Sequence, residues 1–103
     1  MSNITRRAMI ALKTIETAIN NHPITGQARR LVRFLASLYN GSDYPLALTN
    51  LRTLDTELAN ACLDYLNYDR LGINEVHRHL AQRDRDLHGW LEEYAIEPVQ
   101  SAP

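Results

Sequence analysis

The side chains of this chain that could do chemistry are four histidines, one cysteine and a handful of carboxylates and arginines, and their spacing decides what they could do. His77 and His79 form an HxH pair, and Asp84 and His88 lie one helical turn apart. Imidazole and carboxylate at such spacings suggest a zinc site, which needs at least three protein ligands converging on one point. On a continuous helix His77 and Asp84 would stand about 10 Å apart by rise alone, with His79 projecting elsewhere. Convergence would need a bend and help from other segments, so no metal and no cofactor is expected. Cys62 falls inside an apolar run with no histidine within a helical turn to stabilise a thiolate, and reads as a small core residue. The four glycines, Gly26, Gly41, Gly72 and Gly89, are dispersed, and no nucleophile elbow, P-loop, HExxH or dinucleotide fingerprint occurs. The expectation is a protein that is not an enzyme.

Two further groups could bind rather than react. Asp55, placed by helical spacing beside Leu51, Leu58 and Cys62, would be a costly buried carboxylate unless paired. It is expected to accept from an arginine or from backbone donors of the Gly41 to Thr49 connection, a structural role. Arg29, Arg30 and Arg33 form a basic face that could meet phosphate, with a helix-turn-helix as the corresponding architecture. Against it stand an acidic third helix and a connection of about nine residues where that motif uses three or four. Met9 and Ile10 point away from the apolar stripe of their helix. With the three arginines they are the candidate partner-binding residues.

The elements that must position these groups are helices. Apolar residues at 4, 8, 11, 12, 15, 18 and 19 give a first amphipathic helix ending before Pro23. Thr25 can cap a second, whose apolar arc is Ala28, Leu31, Val32, Phe34, Leu35, Leu38 and Tyr39. Gly41 is expected to close that helix in the left-handed conformation, Pro45 to block continuation, and Thr49 to cap a third helix over about residues 50–68. That third helix is apolar around more than half its circumference and is expected to be the central one. Asn74 can cap a fourth segment over residues 74–95, in which the charged pair Arg83-Asp84 replaces a core layer. One helix or two are both compatible with it, and a break or bend near residues 82–86 is favoured. No strand-like alternation or internal repeat occurs.

Length and composition allow one domain: 103 residues, 45% hydrophobic, suffice for a single core. The expected fold is all-α, a compact bundle of four or five helices over residues 1–96, with residues 97–103 a disordered tail. The lone cysteine excludes an intramolecular disulfide, no run approaches a membrane span, and the N-terminus lacks the apolar core of a signal peptide. A cytoplasmic location is the expectation. Net charge is −1 but unevenly distributed. Residues 1–41 carry six cations against Glu16, residues 42–69 carry Arg52 against five acids, and residues 70–103 carry four cations against six acids. The simplest account packs the basic first half beside the acidic middle.

The block Phe34-Leu-Ala-Ser-Leu-Tyr-Asn-Gly41, Tyr44-Pro45, Leu48-Thr49, Leu51-Arg52 and Leu54-Asp55, followed by Cys62-Leu63, Asp69 and Glu75-Val76-His77, resembles a family of short uncharacterised proteobacterial proteins often carried on plasmids and integrated mobile elements. The resemblance spans roughly residues 25–94. It implies a bacterial accessory protein and brings no catalytic residues. The reading is therefore a helical protein that acts by binding a protein partner not identified by sequence, with homodimerisation compatible with that role. The alternative is a nucleic-acid-binding or regulatory module using the basic face of the first two helices.

Overall fold

In the computed structural model of the chain, residues 2–80 and 84–99 are described. Four α-helices follow in order: α1 (Asn3–Asn21), α2 (Gly26–Tyr39), α3 (Thr56–Asp69) and α4 (Asp84–Glu93), with 3₁₀ segments at Leu48–Thr53 and Val76–Arg78. No strand occurs among the described residues. The all-α bundle read from sequence is the observed fold, built on one hydrophobic core to which all four helices contribute. A radius of gyration of 13.0 Å is the value of a folded domain of this length.

The starts of α1 and α2 are set by hydroxyl caps. Ser2 accepts from the Thr5 N–H at 3.2 Å, and Thr25 accepts from Ala28 N–H at 3.1 Å, the cap read from sequence. The apolar stripes fall where periodicity puts them: Ala8, Ala11, Leu12, Ile15 and Ile19 of α1 are buried, as are Ala28, Leu31, Val32, Phe34 and Leu35 of α2.

Between α2 and α3 the chain departs from expectation. Gly41 does not take a positive φ; Gly72 is the described glycine that does. Instead α2 stops because Asn40 turns extended, its N–H still bonded to Ala36. Its side chain and that of Asp43 then brace the turn, with Asn40 donating to the Asp43 carboxylate at 3.0 Å and accepting the Asp43 N–H at 3.1 Å. A Cβ at position 41 would sit 3.2 Å from the Ser37 carbonyl oxygen, so a larger residue there would require that backbone to give by a few tenths of an ångström. Thr49 caps nothing. It lies inside the 3₁₀ segment Leu48–Thr53, and α3 begins only at Thr56 with Asp55 as the flanking residue.

This late start changes the place of α3. Leu51 and Leu54 pack from the 3₁₀ segment and its end rather than from the helix, and Leu63 is exposed. The extensive contact of α3 is with α1, while α2 packs against α1, α4 and the Val76–Arg78 turn. The order of packing is α3, α1, α2, α4, so α1 and α2 are central and α3 flanks them. Leu58 is accordingly only half-buried.

The segment after Gly72 is not one helix. Glu75, not Asn74, precedes a single 3₁₀ turn that buries Val76, and no side chain caps it. Helix α4 starts at Asp84; the junction, with Arg83, lies outside the described residues. Helix α4 closes with Ala95 at φ 53°, where Ile96 N–H bonds to the Leu91 carbonyl at 2.9 Å and Ala95 N–H to Glu92 at 3.1 Å. Ile96 and Leu91 are both buried there, the apolar contact that accompanies a left-handed helix stop. Val99 N–H then donates to the Asp43 carbonyl at 2.7 Å, while residues 100–103 of the expected tail lie outside the described residues.

Candidate functional site

The histidines separate. His77 and His79 lie at one 3₁₀ turn yet face different tyrosines, the His77 ring standing edge-on to Tyr39 at 5.3 Å and the His79 ring edge-on to Tyr68 at 5.5 Å. His79 Nε2 and the Tyr68 hydroxyl are 3.3 Å apart. His88 of α4 packs against Tyr39 at 5.7 Å, and His77 Nδ1 lies 3.5 Å from Glu75. These imidazoles act as aromatic spacers between the Val76–Arg78 turn and its neighbours. The Asp84 side chain lies outside what is described. Among the described residues no three His, Cys, Asp or Glu side chains gather as metal ligands would. Burial pushes the Cys62 thiol up to about 12, which leaves it protonated at neutral pH and without nucleophilic character.

The three arginines of α2 have different surroundings. Arg29 Nη1 donates to the Tyr94 carbonyl at the end of α4, and the Tyr94 hydroxyl donates to the Pro23 carbonyl before α2. Arg29 therefore satisfies an orphan helix-end carbonyl. The Arg30 guanidinium folds back over Gly26, close enough that a Cβ there would meet its Nη1 at 3.3 Å. Arg33 is exposed and borders a small cleft with Asp43 and Glu97. Of the three arginines, Arg29 is thus tied to the end of α4, while Arg33 stays exposed.

Asp55 is a correction of both position and partner. It is exposed, precedes α3 and makes no cap bond with its side chain. Its partner is neither an arginine nor the Gly41 to Thr49 connection but Gln27 of α2, whose Oε1 accepts the Asp55 N–H at 2.8 Å and whose Nε2 donates to Oδ2 at 3.4 Å.

Met9 and Ile10 also divide. Met9 is half-buried against the core and borders a shallow cleft with His79, whereas Ile10 is 62% exposed. Ile10 belongs to an extended concavity of the surface, along the seam of α1 and α3. A cleft of about 410 Å³ takes in Lys13, Thr17 and His22 of the α1 side opposite Asp55, Glu57 and Leu58. It runs into one of about 240 Å³ with Arg7 and Ile10 opposite Asn60, Ala61 and Asp64, and Thr14 and Glu57 border both. The two helices are antiparallel, because rising numbers on α1 meet falling numbers on α3. One wall carries Arg7 and Lys13, the other Glu57 and Asp64, and all four are exposed. The basic first half thus does lie beside the acidic middle.

Sequence reasoning missed this groove as a site. Its signal was present: Arg7, Ile10 and Lys13 are spaced by three, and Glu57, Asn60, Ala61 and Asp64 fall at helical spacing, each set marking one helix face. That the two faces would border one groove is a matter of packing.

The fold and the groove define a small all-helical protein with an elongated surface channel and no assembled set of reactive groups among the described residues. The chain belongs to the DUF7673 family, a family of unknown function, which matches residues 11–95. No curated protein and no solved structure matches it. No helix among the described residues is long and apolar enough to cross a membrane.

Proposed function

We propose that this chain is a non-catalytic helical binding protein of the bacterial cytoplasm that acts by holding a polypeptide partner along the α1–α3 groove. The observation that supports the reading is the groove itself, with the exposed Ile10 set between the cations of one wall and facing the carboxylates of the other. Isolated apolar side chains on a surface are ordinary. One placed in a long channel between rows of charge is suited to an amphipathic helix, whose apolar edge fills the channel while its polar flanks meet the rims. The channel is long and open, which suits a polypeptide better than a small ligand, since small-ligand sites are enclosed and mostly apolar. An accessory role on a plasmid or integrated element is part of the proposal and follows from the sequence resemblance alone.

Affinity capture from a bacterial host tests it, with the wild-type chain and Ile10→Glu as baits and extracts with and without nuclease. A protein retained by wild type, lost with Ile10→Glu and indifferent to nuclease is expected. Retention unaffected by the substitution would move the binding surface elsewhere. Retention abolished by nuclease would favour the nucleic-acid reading of the basic helices.

A further inference from the structure

We propose that the occupant of the α1–α3 groove is a second copy of this chain, related to the first by a two-fold axis running along the groove. The inference rests on reading the groove as a binding surface and adds the identity of what binds. Its basis is the arrangement of charge. Among the described residues none of Arg7, Lys13, Glu57 and Asp64 makes an ion pair within the chain, although cation and carboxylate border the same clefts. Lys13 and Glu57 border one cleft and Arg7 and Asp64 the next; six residues back along α1 and seven forward along the antiparallel α3 cover about the same distance, so the two pairs share one register.

A two-fold rotation about the groove keeps every residue at its level but exchanges the walls. It lays the α1 of each copy over the α3 of the other, so that Lys13 meets Glu57 of the second copy and Arg7 meets Asp64, each contact occurring twice. The same operation sets Ile10 against Ala61 of the second copy, covering an apolar side chain that is 62% exposed in the single chain. The other two-fold that stacks groove on groove, with its axis running from wall to wall, would set like charge on like. A wall of one sign beside a wall of the other is therefore self-complementary in only one arrangement.

The size of the contact places it among the smaller interfaces. The paired face is about 21 Å long, by the rise of the 14-residue α3, and about 20 Å across two helices. Two such faces bury on the order of 1,000 Å² together, the lower edge of specific interfaces, where association is weak and reversible.

The test is sedimentation velocity on the full chain from about 1 to about 500 µM, at low and high salt, with Lys13→Glu and Glu57→Lys. The wild type should pass from monomer to dimer over this range, and added salt should weaken the dimer. Each single reversal places like charges at both equivalent contacts and should raise the dimer Kd by about tenfold or more. In an equal mixture of the two variants, a heterodimer sets the carboxylate introduced at position 13 of one copy against the ammonium introduced at position 57 of the other. The unaltered Lys13 and Glu57 meet at its second contact, so the mixture should associate again, as should the double variant alone. This rescue separates a broken contact from a misfolded chain. Monomer at every concentration, a dimer that neither reversal weakens, or failure of the mixture to associate would each overturn the proposal. A persistent monomer that still captures a different protein in an Ile10-dependent way overturns the dimer and upholds the groove; loss of that capture as well removes both readings.

Discussion

Gln27 grips Asp55 from both directions, accepting its backbone N–H at 2.8 Å and donating to its carboxylate at 3.4 Å. One side chain of the first turn of α2 thereby fixes the entry to α3, 28 residues further on. The shorter bond carries most of the effect, since hydrogen bonds weaken quickly with distance. Gln27→Ala should lower stability by about 1 kcal/mol, the net worth of such a bond. Asp55→Asn should change little, because the backbone donor is kept and the amide oxygen can still accept. Chemical denaturation of both variants measures this, and equal losses would show that the carboxylate charge matters after all.

The packing order predicts where core truncation hurts. Leu35 of α2 is fully buried, so Leu35→Ala should lose about 2–5 kcal/mol. Leu63, on the outer face of α3, is 52% exposed, and Leu63→Ala should stay within about 0.5 kcal/mol of wild type. Similar losses at the two sites in urea titrations would put α3 back at the centre.

Tyr65 is fully buried, and among the described residues its hydroxyl has no hydrogen-bond partner. Burial, with lesser contributions from Asp69 and Tyr68, holds the phenol well above its ordinary pKa. Removing an unsatisfied buried hydroxyl removes its desolvation penalty. Tyr65→Phe should raise the Tm, by an amount equivalent to about 1 kcal/mol. A lower Tm would mean that the hydroxyl has a partner in solution.

Ala95 closes α4 at φ 53°, a conformation that a Cβ disfavours by roughly 1 kcal/mol. Ala95→Gly relieves that strain and should stabilise the chain by up to about half a kcal/mol once the added freedom of the unfolded glycine is set against it. Calorimetry on the two proteins decides the sign.

Burial holds His79 below the ordinary imidazole pKa. The unfolded chain therefore takes up this proton at higher pH than the folded one. The stability it contributes is full above the unfolded value of about 6.5 and is lost as pH falls through the folded value. Thermal unfolding followed from about pH 7.5 to about pH 5 should show a falling Tm that His79→Gln makes shallower. Asp69 acts with the opposite sign in the carboxylate range, since burial and then Glu75 raise its pKa. An unchanged slope in His79→Gln would show that another group governs this window.

What the sequence determined by itself is what depends on local periodicity and local caps. The stripe of α1, the arc of α2, the Thr25 cap and the absence of long alternating runs each follow from residues a few positions apart, where helix geometry leaves little choice. The tertiary structure decided everything that depends on partners distant in the chain. Helical spacing put Asp55 in the apolar arc of a helix because periodicity cannot tell an α-turn from the 3₁₀ segment that precedes α3. Its true partner, Gln27, is visible only once α2 and α3 are placed. The arginines of α2 read as one basic face, yet Arg29 is drawn to the Tyr94 carbonyl because folding brings the orphan end of α4 beside it. The groove is the clearest case: each wall was legible as one face of one helix, but a channel between opposite charges exists only because α1 packs antiparallel on α3.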